Sequence, residues 1–323
     1  MLLLIINFLG ITFLQSVLNP SSQQADKIYR LFNYFNIAAG SMLLLVIFLV
    51  VYISIKFRRK QGDTDDPVQT KGNTKLEAVM IGVPVLLLGF FFYQTVKTMR
   101  EVSPSVDAGR QPDVIITGHQ WWWEVEYPGM DVITANEVHL PVGKTLLLEM
   151  RSADVIHDWW VPELGNKMDL VPKTKNYIWL DINKSGTYDG ACSEFCGAQH
   201  AWMRIKVIAQ KENDFTRWLT ENAKNALQPK DSLAIRGAAL FQINTCANCH
   251  RIKGTEAVAN VGPDLTHLAS RHLLLTGLMD NNQDNLFKWV SQPQKIKPGS
   301  HMPDFKLNVD SIKAIAHYLN QLK

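Results

Sequence analysis

Two long uncharged stretches dominate the pattern of hydrophobic and polar positions in the first third of the chain. Residues 37–55 and 78–96 each run for 19 residues without a charged side chain. A helix of that length rises about 1.5 Å per residue and crosses most of a hydrocarbon core about 30 Å thick. One such helix could be buried in a soluble core, but two of full length predict a membrane hairpin.

A short basic loop orients this hairpin. Lys56 to Lys60 reads KFRRK, and Lys71 and Lys75 follow before the second stretch. Loops rich in Lys and Arg stay on the cytoplasmic side, so everything after residue 97 is predicted to be extracytoplasmic. The apolar start of the chain, within residues 1–24, is either a cleaved signal peptide, which we favour, or a retained third apolar segment.

The pattern changes at Asp113 and again near residue 230. From Asp113, short β-branched or aromatic runs alternate with turn signals, which predicts a β-sandwich or barrel. Helical patterns follow at 234–242 and 311–322, where Gly237 would let the two helices cross closely. The predicted organisation is a leader (1–24), a hairpin (25–100), a β-domain (101–215), a linker (216–230) and a helical domain (231–323).

The charge balance hides three unlike segments. The chain is 46% hydrophobic and 20% charged with a net charge of +3. These averages exclude a disordered chain and argue against a nucleic-acid partner. By segment, residues 1–100 carry +5, residues 101–229 carry −6 and residues 230–323 carry +4. Opposite charges on the last two segments are predicted to favour their docking.

A group of metal-ligand side chains lies in the β-domain. Cys192, Cys196, His200 and Met203 follow one another at intervals of 4, 4 and 3 residues. The two cysteines alone could form an extracytoplasmic disulfide. Thiolate, imidazole and thioether together favour copper. His157 is the predicted ligand from a distant strand; its competitors His119 and His139 are expected to be ordinary hydrogen-bonded histidines.

The other two cysteines lie in the helical domain, in Cys246-Ala-Asn-Cys249-His250. A CxxC pair could be a redox dithiol or half of a zinc site. A histidine directly after the pair is typical of covalent c-type haem attachment, in which the thiols bind the haem and His250 binds its iron.

Three segments of the first 215 residues resemble subunit II of haem–copper cytochrome c oxidases: Gly118–Pro128, Val155–Asp169 and Cys192–Met203. The resemblance covers residues 25–215 and implies a cupredoxin-like Greek-key sandwich that holds the dinuclear copper centre CuA. It implies two bridging thiolates, one imidazole on each copper and two weak ligands, supplied by Cys192, Cys196, His157, His200, Met203 and the backbone carbonyl of Glu194.

The same resemblance implies three roles outside the copper ligands. The Glu194 side chain would reach a magnesium site facing subunit I, with Asp169 nearby. Trp121 would receive electrons above the copper centre, although it could be an ordinary packing aromatic. Glu77 would mark a proton-path entrance, although a helix-start acid is equally plausible. One departure is Val171–Lys175, where the interfacial arginine of many relatives is absent.

Residues 231–323 resemble a small cytochrome c. The resemblance implies a distal iron ligand after an irregular loop, and Met302 fits that place, with Met279 and His301 as rivals. It also implies that the Pro263 carbonyl, in Gly262–Leu265, orients His250. The remaining histidines, His267, His272 and His317, are predicted to be surface or packing residues.

Together these features predict a multidomain membrane protein through which electrons enter a bacterial, proton-translocating cytochrome c oxidase. Electrons would pass from cytochrome c or another respiratory donor to haem c, to CuA and to the oxygen-reducing site in subunit I. The expected partners are that subunit, other oxidase subunits and membrane lipid, at the inner membrane with both cofactor domains periplasmic. The alternatives are an anchored CuA and haem c carrier for another reductase, and a non-redox copper-binding or assembly protein.

Overall fold

The computed structural model describes residues 17–59, 62, 72–103, 106 and 109–323. The predicted leader at residues 1–24 falls mainly outside the described residues, as does most of the basic loop after residue 59. The two long helices form one compact unit, and the sandwich and helical domain form another together with the residues before Asp26.

The hairpin unit consists of α1 (Gln23–Lys56) and α2 (Thr74–Val102). Asn73 caps α2, since its side chain accepts hydrogen bonds from the backbone N–H groups of Lys75 and Leu76, both at 3.1 Å. Apolar side chains face outward along both helices; Leu44 is 69% exposed and Leu86 75% exposed. Apolar surface of this extent is unstable in water. Both helices are long and apolar enough to cross a membrane, and their most apolar stretches are not buried within the described residues.

The middle of the chain is a sandwich of two five-stranded sheets. Its ten strands, β1 to β10 in chain order, are Val114–His119, Trp122–Tyr127, Val132–Ala135, Glu137–Pro141, Thr145–Ser152, His157–Trp160, Met168–Leu170, Asn176–Asp181, Gly186–Cys192 and Arg204–Gln210. One sheet has the order β3-β2-β1-β5-β8 and the other the order β4-β10-β9-β6-β7. Alternate residues of β2 point inward, among them the fully buried Trp123, because successive side chains of a strand face opposite sides.

One helix, α3 (Glu212–Asn222), covers an end of the sandwich. The Trp218 ring stacks on His139 with centroids 3.9 Å apart and meets Tyr127 edge to face at 5.3 Å. Aromatic contacts of this kind add to apolar burial. The helix is thereby packed against the sandwich core before the chain enters the helical domain.

The helical domain is built on a close crossing of its first and last helices. Its elements are α4 (Ser232–Ile243), the short strands β11 (Leu273–Leu274) and β12 (Met279–Asp280), α5 (Gln283–Ser291), α6 (Pro293–Ile296) and α7 (Val309–Leu319). A Cβ atom on Gly237 would lie 2.1 Å from the carbonyl oxygen of Ala314, so only glycine fits there. The predicted close crossing at Gly237 is confirmed.

Candidate copper and haem sites

The sandwich brings sulfur and imidazole groups together at the end of one sheet. β9 ends at Cys192, β6 begins at His157, and the loop between β9 and β10 carries the other groups. The N–H of Cys192 donates to the carbonyl of Met203 at 2.9 Å, which closes this loop. Cys196 follows within the loop, and His200 begins a 3₁₀ turn just before Met203.

The ligand atoms lie within a few ångströms of one another. The Sγ atoms of Cys192 and Cys196 are 3.8 Å apart. The Nδ1 atom of His157 lies 4.0 Å from Cys192 Sγ, and that of His200 lies 3.6 Å from Cys196 Sγ. Met203 Sδ is 3.8 Å from Cys196 Sγ. A disulfide needs sulfurs about 2.05 Å apart, so this spacing leaves two free thiols facing a shared centre.

The environment prepares this donor set for a metal. The carbonyl oxygen of Glu194 lies 3.2 Å from Cys192 Sγ. The hydrogen bond from Cys196 is the main cause that holds the pKa of Cys192 well below its usual value, so a thiolate is already favoured there. His157 Nε2 lies 2.8 Å from Asp154, which leaves its Nδ1 facing the sulfurs. Two sulfurs, two imidazoles, a thioether and a carbonyl form a soft, buried set that fits copper.

Trp121 closes the cluster from the outside. Its indole N–H donates to the carbonyl oxygen of Cys196 at 2.9 Å, and the side-chain amide of Gln120 donates to the same oxygen at 2.8 Å. A Cβ atom on Gly197 would lie 2.9 Å from the Trp121 ring. Trp121 is only 8% exposed and packs tightly against the loop between β9 and β10 (residues 193–203), called the cysteine loop below.

The two competing histidines do not join the cluster. His139 lies 2.9 Å from the Gln210 side chain and is hydrogen-bonded as predicted. His119 stacks on Trp122 at 4.1 Å, and its Nε2 atom is buried without a hydrogen-bond partner among the described residues. The expectation of an ordinary hydrogen-bonded histidine is therefore wrong for His119 Nε2.

A pair of carboxyl groups lies next to His157. Asp158 on β6 pairs with Asp169 on β7, and burial and the Asp169 carboxyl raise the pKa of Asp158 well above its usual value. The Oδ1 atom of Asp158 is buried without a partner among the described residues. The backbone N–H of Ser193 donates to the Asp158 carbonyl at 3.1 Å. The next residue, Glu194, is exposed. Carboxylate oxygens of this kind are the ligand type that magnesium prefers.

The helical domain encloses a cavity around His250. Cys246, Cys249, Met302 and His301 line this cavity, and Met279 is not among the described residues that line it. His250 Nδ1 lies 2.8 Å from the Pro263 carbonyl oxygen, which leaves Nε2 free to bind iron, so the predicted Pro263 contact is present.

The space in front of the His250 ring is tight. A Cβ atom on Gly262 would lie 2.7 Å from that ring, so glycine is needed beside it. The paired thiols, the oriented imidazole and the thioether fit a covalently attached haem.

Sequence reasoning missed two features of the cavity. Arg271 lines it, and its buried Nε atom has no partner among the described residues. His119, Trp121 and Trp122 of the sandwich form another part of its wall. The only signal for Arg271 was that it is the single Arg or Lys within Leu268–Leu275. No sequence signal pointed to the shared wall.

Glu77 lies apart from these groups, in the hairpin unit. It occupies the first turn of α2, four residues after the Asn73 cap, and its backbone N–H donates to the Asn73 carbonyl at 2.9 Å. This position fits a helix-start acid. Nothing else in the described hairpin decides its role.

A soft, thiolate-rich donor set in a two-sheet sandwich, beside a helical domain with a CxxCH haem cavity, defines a class of copper- and haem-bearing electron-transfer proteins. The family described as "Cytochrome C oxidase subunit II, periplasmic domain" matches residues 131–210, and the family "Cytochrome c" matches residues 234–323. This chain belongs to the cytochrome c oxidase subunit 2 family and carries a C-terminal cytochrome c domain.

Three curated relatives match nearly the whole chain, and each is named cytochrome c oxidase subunit 2. The protein of Alkalihalophilus pseudofirmus is 33% identical over 314 residues, covering 95% of this chain and 91% of the relative. Those of Bacillus sp. (strain PS3) and Bacillus subtilis are 31% and 28% identical, each over 95% of this chain and over 91% and 92% of the relative. The chain is a subunit of a haem–copper oxidase complex, and electrons enter that complex through this subunit.

Proposed function

We propose that electrons from a soluble or membrane-bound donor enter this subunit at haem c and leave it from CuA toward subunit I. The observation that carries this proposal is that Trp121 contacts both sites. Its indole N–H reaches the Cys196 carbonyl, and its ring lies 5.9 Å from that of His301 beside Met302. When bound, the haem iron and the copper pair each accept and release one electron.

Four side chains would hold the haem. Cys246 and Cys249 would bind it covalently, while His250 and Met302 would bind its iron. The presence of Met302 in the cavity and the absence of Met279 from its described wall support this choice. His301 also lines the cavity, but its ring faces Trp121, which favours Met302 as the ligand.

The sulfur and imidazole cluster would hold the copper pair. Its ligands would be the thiolates of Cys192 and Cys196, the imidazoles of His157 and His200, the Met203 thioether and the Glu194 carbonyl. Asp154 holds the His157 ring through Nε2, and Trp121 and Gln120 hold the Cys196 carbonyl. A rigid set of this kind keeps its geometry when the charge of the centre changes, which favours fast transfer.

A magnesium site next to the copper centre is a further part of the proposal. The exposed carboxyl groups of Glu194 and Asp169 would supply hard oxygen ligands there. Asp169 pairs across β6 and β7 with the buried Asp158, which follows His157, and this edge would face subunit I.

The remaining roles concern the membrane and the partners. The basic loop after α1 supports an inner-membrane hairpin with the sandwich and the helical domain, called the haem domain below, in the periplasm. Lipid would contact α1 and α2, Glu77 would lie at the start of a proton path, and cytochrome c would be one possible donor class. The domain limits proposed from the sequence, 25–100, 101–215, 216–230 and 231–323, are retained.

Stopped-flow reduction of the purified oxidase complex tests the electron route. A reduced donor should produce the ferrous haem c band first and bleach the CuA band second. Cys196→Ser should remove the CuA band and stop oxygen consumption while haem c is still reduced. Oxygen consumption at the unchanged rate in Cys196→Ser, with no CuA band, would contradict the route.

A further inference from the structure

Two buried charged side chains cross the boundary between the sandwich and the haem domain, one from each side. Glu137, on β4 of the sandwich, is 2% exposed, and Lys297, in the haem domain just after α6, is 4% exposed. Acidic and basic residues are almost never buried so deeply without partners. In both cases a partner lies in the opposite domain.

Glu137 binds the haem domain at its β11 end. One carboxylate oxygen accepts hydrogen bonds from the backbone N–H groups of His272 at 2.8 Å and Leu273 at 3.0 Å. The other oxygen lies 3.1 Å from Nδ1 of His272. A buried carboxylate without such donors is costly. The cost is offset only while the haem domain is docked, so His272 is an interface residue and not merely a surface histidine.

Lys297 binds the sandwich at the turn between β1 and β2, where Trp121 lies. Its ammonium group donates to the backbone carbonyl oxygen of Trp121 at 2.8 Å and to the Thr276 hydroxyl at 3.1 Å. The Thr276 hydroxyl in turn contacts the carbonyl of Trp202. Burial lowers the pKa of Lys297 to about 8, as expected for an amine removed from water.

The segment that follows Lys297 covers Trp121. The Pro298 carbonyl accepts a hydrogen bond from the Gln199 side chain at 2.7 Å. An added Cβ on Gly299 would lie 3.9 Å from the Trp121 ring, in ordinary contact. The His301 ring follows at 5.9 Å. A separate redox protein therefore meets the haem domain, and not Trp121, while this segment is in place.

We propose that Glu137 and Lys297 form a reciprocal latch that fixes the haem domain on the sandwich with residues 297–301 against Trp121. Each charged side chain has a hydrogen-bond partner in the opposite domain, so both contacts break when the domains separate. Because the two contacts must form together, they fix one docked position. The latch acts by positioning, and Lys297 also lines the cavity around His250. Its role in electron transfer rests on the proposed function.

Hydrogen exchange of the full-length subunit in its oxidase complex tests the latch. In Lys297→Met, the Trp121 carbonyl loses its buried donor, and the docked state should open about tenfold more often. The N–H groups of His272 and Leu273, held by the other half of the latch, should then exchange about tenfold faster. Lys295→Met is the matched control, because Lys295 is exposed two residues away, and it should leave these rates within about twofold.

The amides of α7 separate undocking from unfolding. They lie inside the haem domain and should keep their exchange rates in Lys297→Met. The proposal is overturned if His272 and Leu273 exchange alike in Lys297→Met and Lys295→Met, or if α7 accelerates equally. If Lys297→Met does not mature, Glu137→Gln takes its place: the segment 297–300 should exchange faster, and unchanged exchange there overturns the latch. Missing haem c or CuA bands in the unmodified complex would instead contradict the proposed function.

Discussion

At the scale of single residues, the site depends on groups that hold the ligands as much as on the ligands. Asp154 fixes the ring of His157, and Pro263 fixes the ring of His250. Trp121 holds the Cys196 carbonyl while its own carbonyl receives Lys297. A single tryptophan thus links the cysteine loop to the haem domain through its side chain on one side and its backbone on the other.

Trp121→Phe isolates the side-chain half of this link. The ring remains apolar and aromatic, but the hydrogen bond to Cys196 is lost, at a cost of about 1 kcal/mol. We expect a shifted CuA absorption and electron paramagnetic resonance spectrum and slower electron transfer from haem c to CuA. Trp122→Phe leaves both contacts to Cys196 in place and should change neither spectrum; equal effects of the two variants would contradict this role of Trp121.

Glu124 gives a prediction about pH. Burial, and then the charges of Glu126 and Asp264, raise its pKa from 4.5 to about 7. Between these values the folded chain keeps a proton that the unfolded chain has lost, so stability falls as pH rises through this window. Glu124→Gln should therefore stabilise the chain at pH 8 by roughly 1 kcal/mol, after allowance for its partial exposure, and have little effect at pH 5. Thermal unfolding midpoints at both pH values check this; an equal shift at both would contradict it.

Residue chemistry was the most predictable part of the site. Cys192, Cys196, His200 and Met203 are close in sequence, and their spacing alone brings them together once the loop closes. His157 was chosen over His119 and His139 from its aromatic neighbours and the proline turn that follows, because its distance along the chain carries no information about contact, and the family resemblance then implied the same residue. The partners of Glu137 and Lys297 could not be predicted, because a buried charge between domains looks in sequence like any surface charge.

At the scale of elements, the periodicity of apolar residues predicted whether a segment is a helix or a strand better than it predicted where that element begins and ends. The alternating pattern predicted strands, and the two uncharged runs predicted α1 and α2. Both helices extend beyond the uncharged runs, to 34 and 29 residues, because polar residues such as Gln23 and Thr74 begin helices as readily as apolar ones. The helix α3 packs on the sandwich through Trp218. Its mostly polar sequence does not predict this packing.

The crossing of α4 and α7 gives a prediction at this scale. Gly237→Ala would place a methyl group against the carbonyl of Ala314, and overpacking of this kind typically costs about 1–3 kcal/mol. We expect a lower yield of attached haem and a lower melting temperature of the haem c absorption band, with the CuA band unchanged. Arg236→Ala, at the exposed neighbouring position, should behave like the unmodified chain. A Gly237→Ala variant with an unchanged melting temperature would show that the helices can move apart freely.

At the scale of the whole molecule, the segment charges predicted docking only in general terms. Asp131 of the sandwich pairs with Lys253 at 2.6 Å and with Arg251 at 3.4 Å, and its side chain is 66% exposed. Exposed pairs are weak and screened by salt. The buried contacts of Glu137 and Lys297 are screened much less, so most of the docking should persist at high salt.

Asp131→Asn separates the two kinds of contact. In the unmodified complex, raising the salt from 0.05 to 0.5 M (on the order of a threefold change in Debye length) should accelerate exchange of the His272 and Leu273 amides by less than about fivefold. Asp131→Asn should remove this salt effect and leave the exchange at high salt unchanged. A large salt effect that survives in Asp131→Asn would mean that other surface charges hold the domains together.

The shared wall of the haem cavity also imposes an order on the maturation of the protein. His119 and Trp122 of the sandwich close part of the cavity that contains Cys246 and Cys249, and residues 297–301 lie over the loop that contains Cys196. A haem-attaching enzyme and a copper donor both need these cysteines open. Biogenesis must therefore supply both cofactors to separated domains, and docking becomes the final step of assembly.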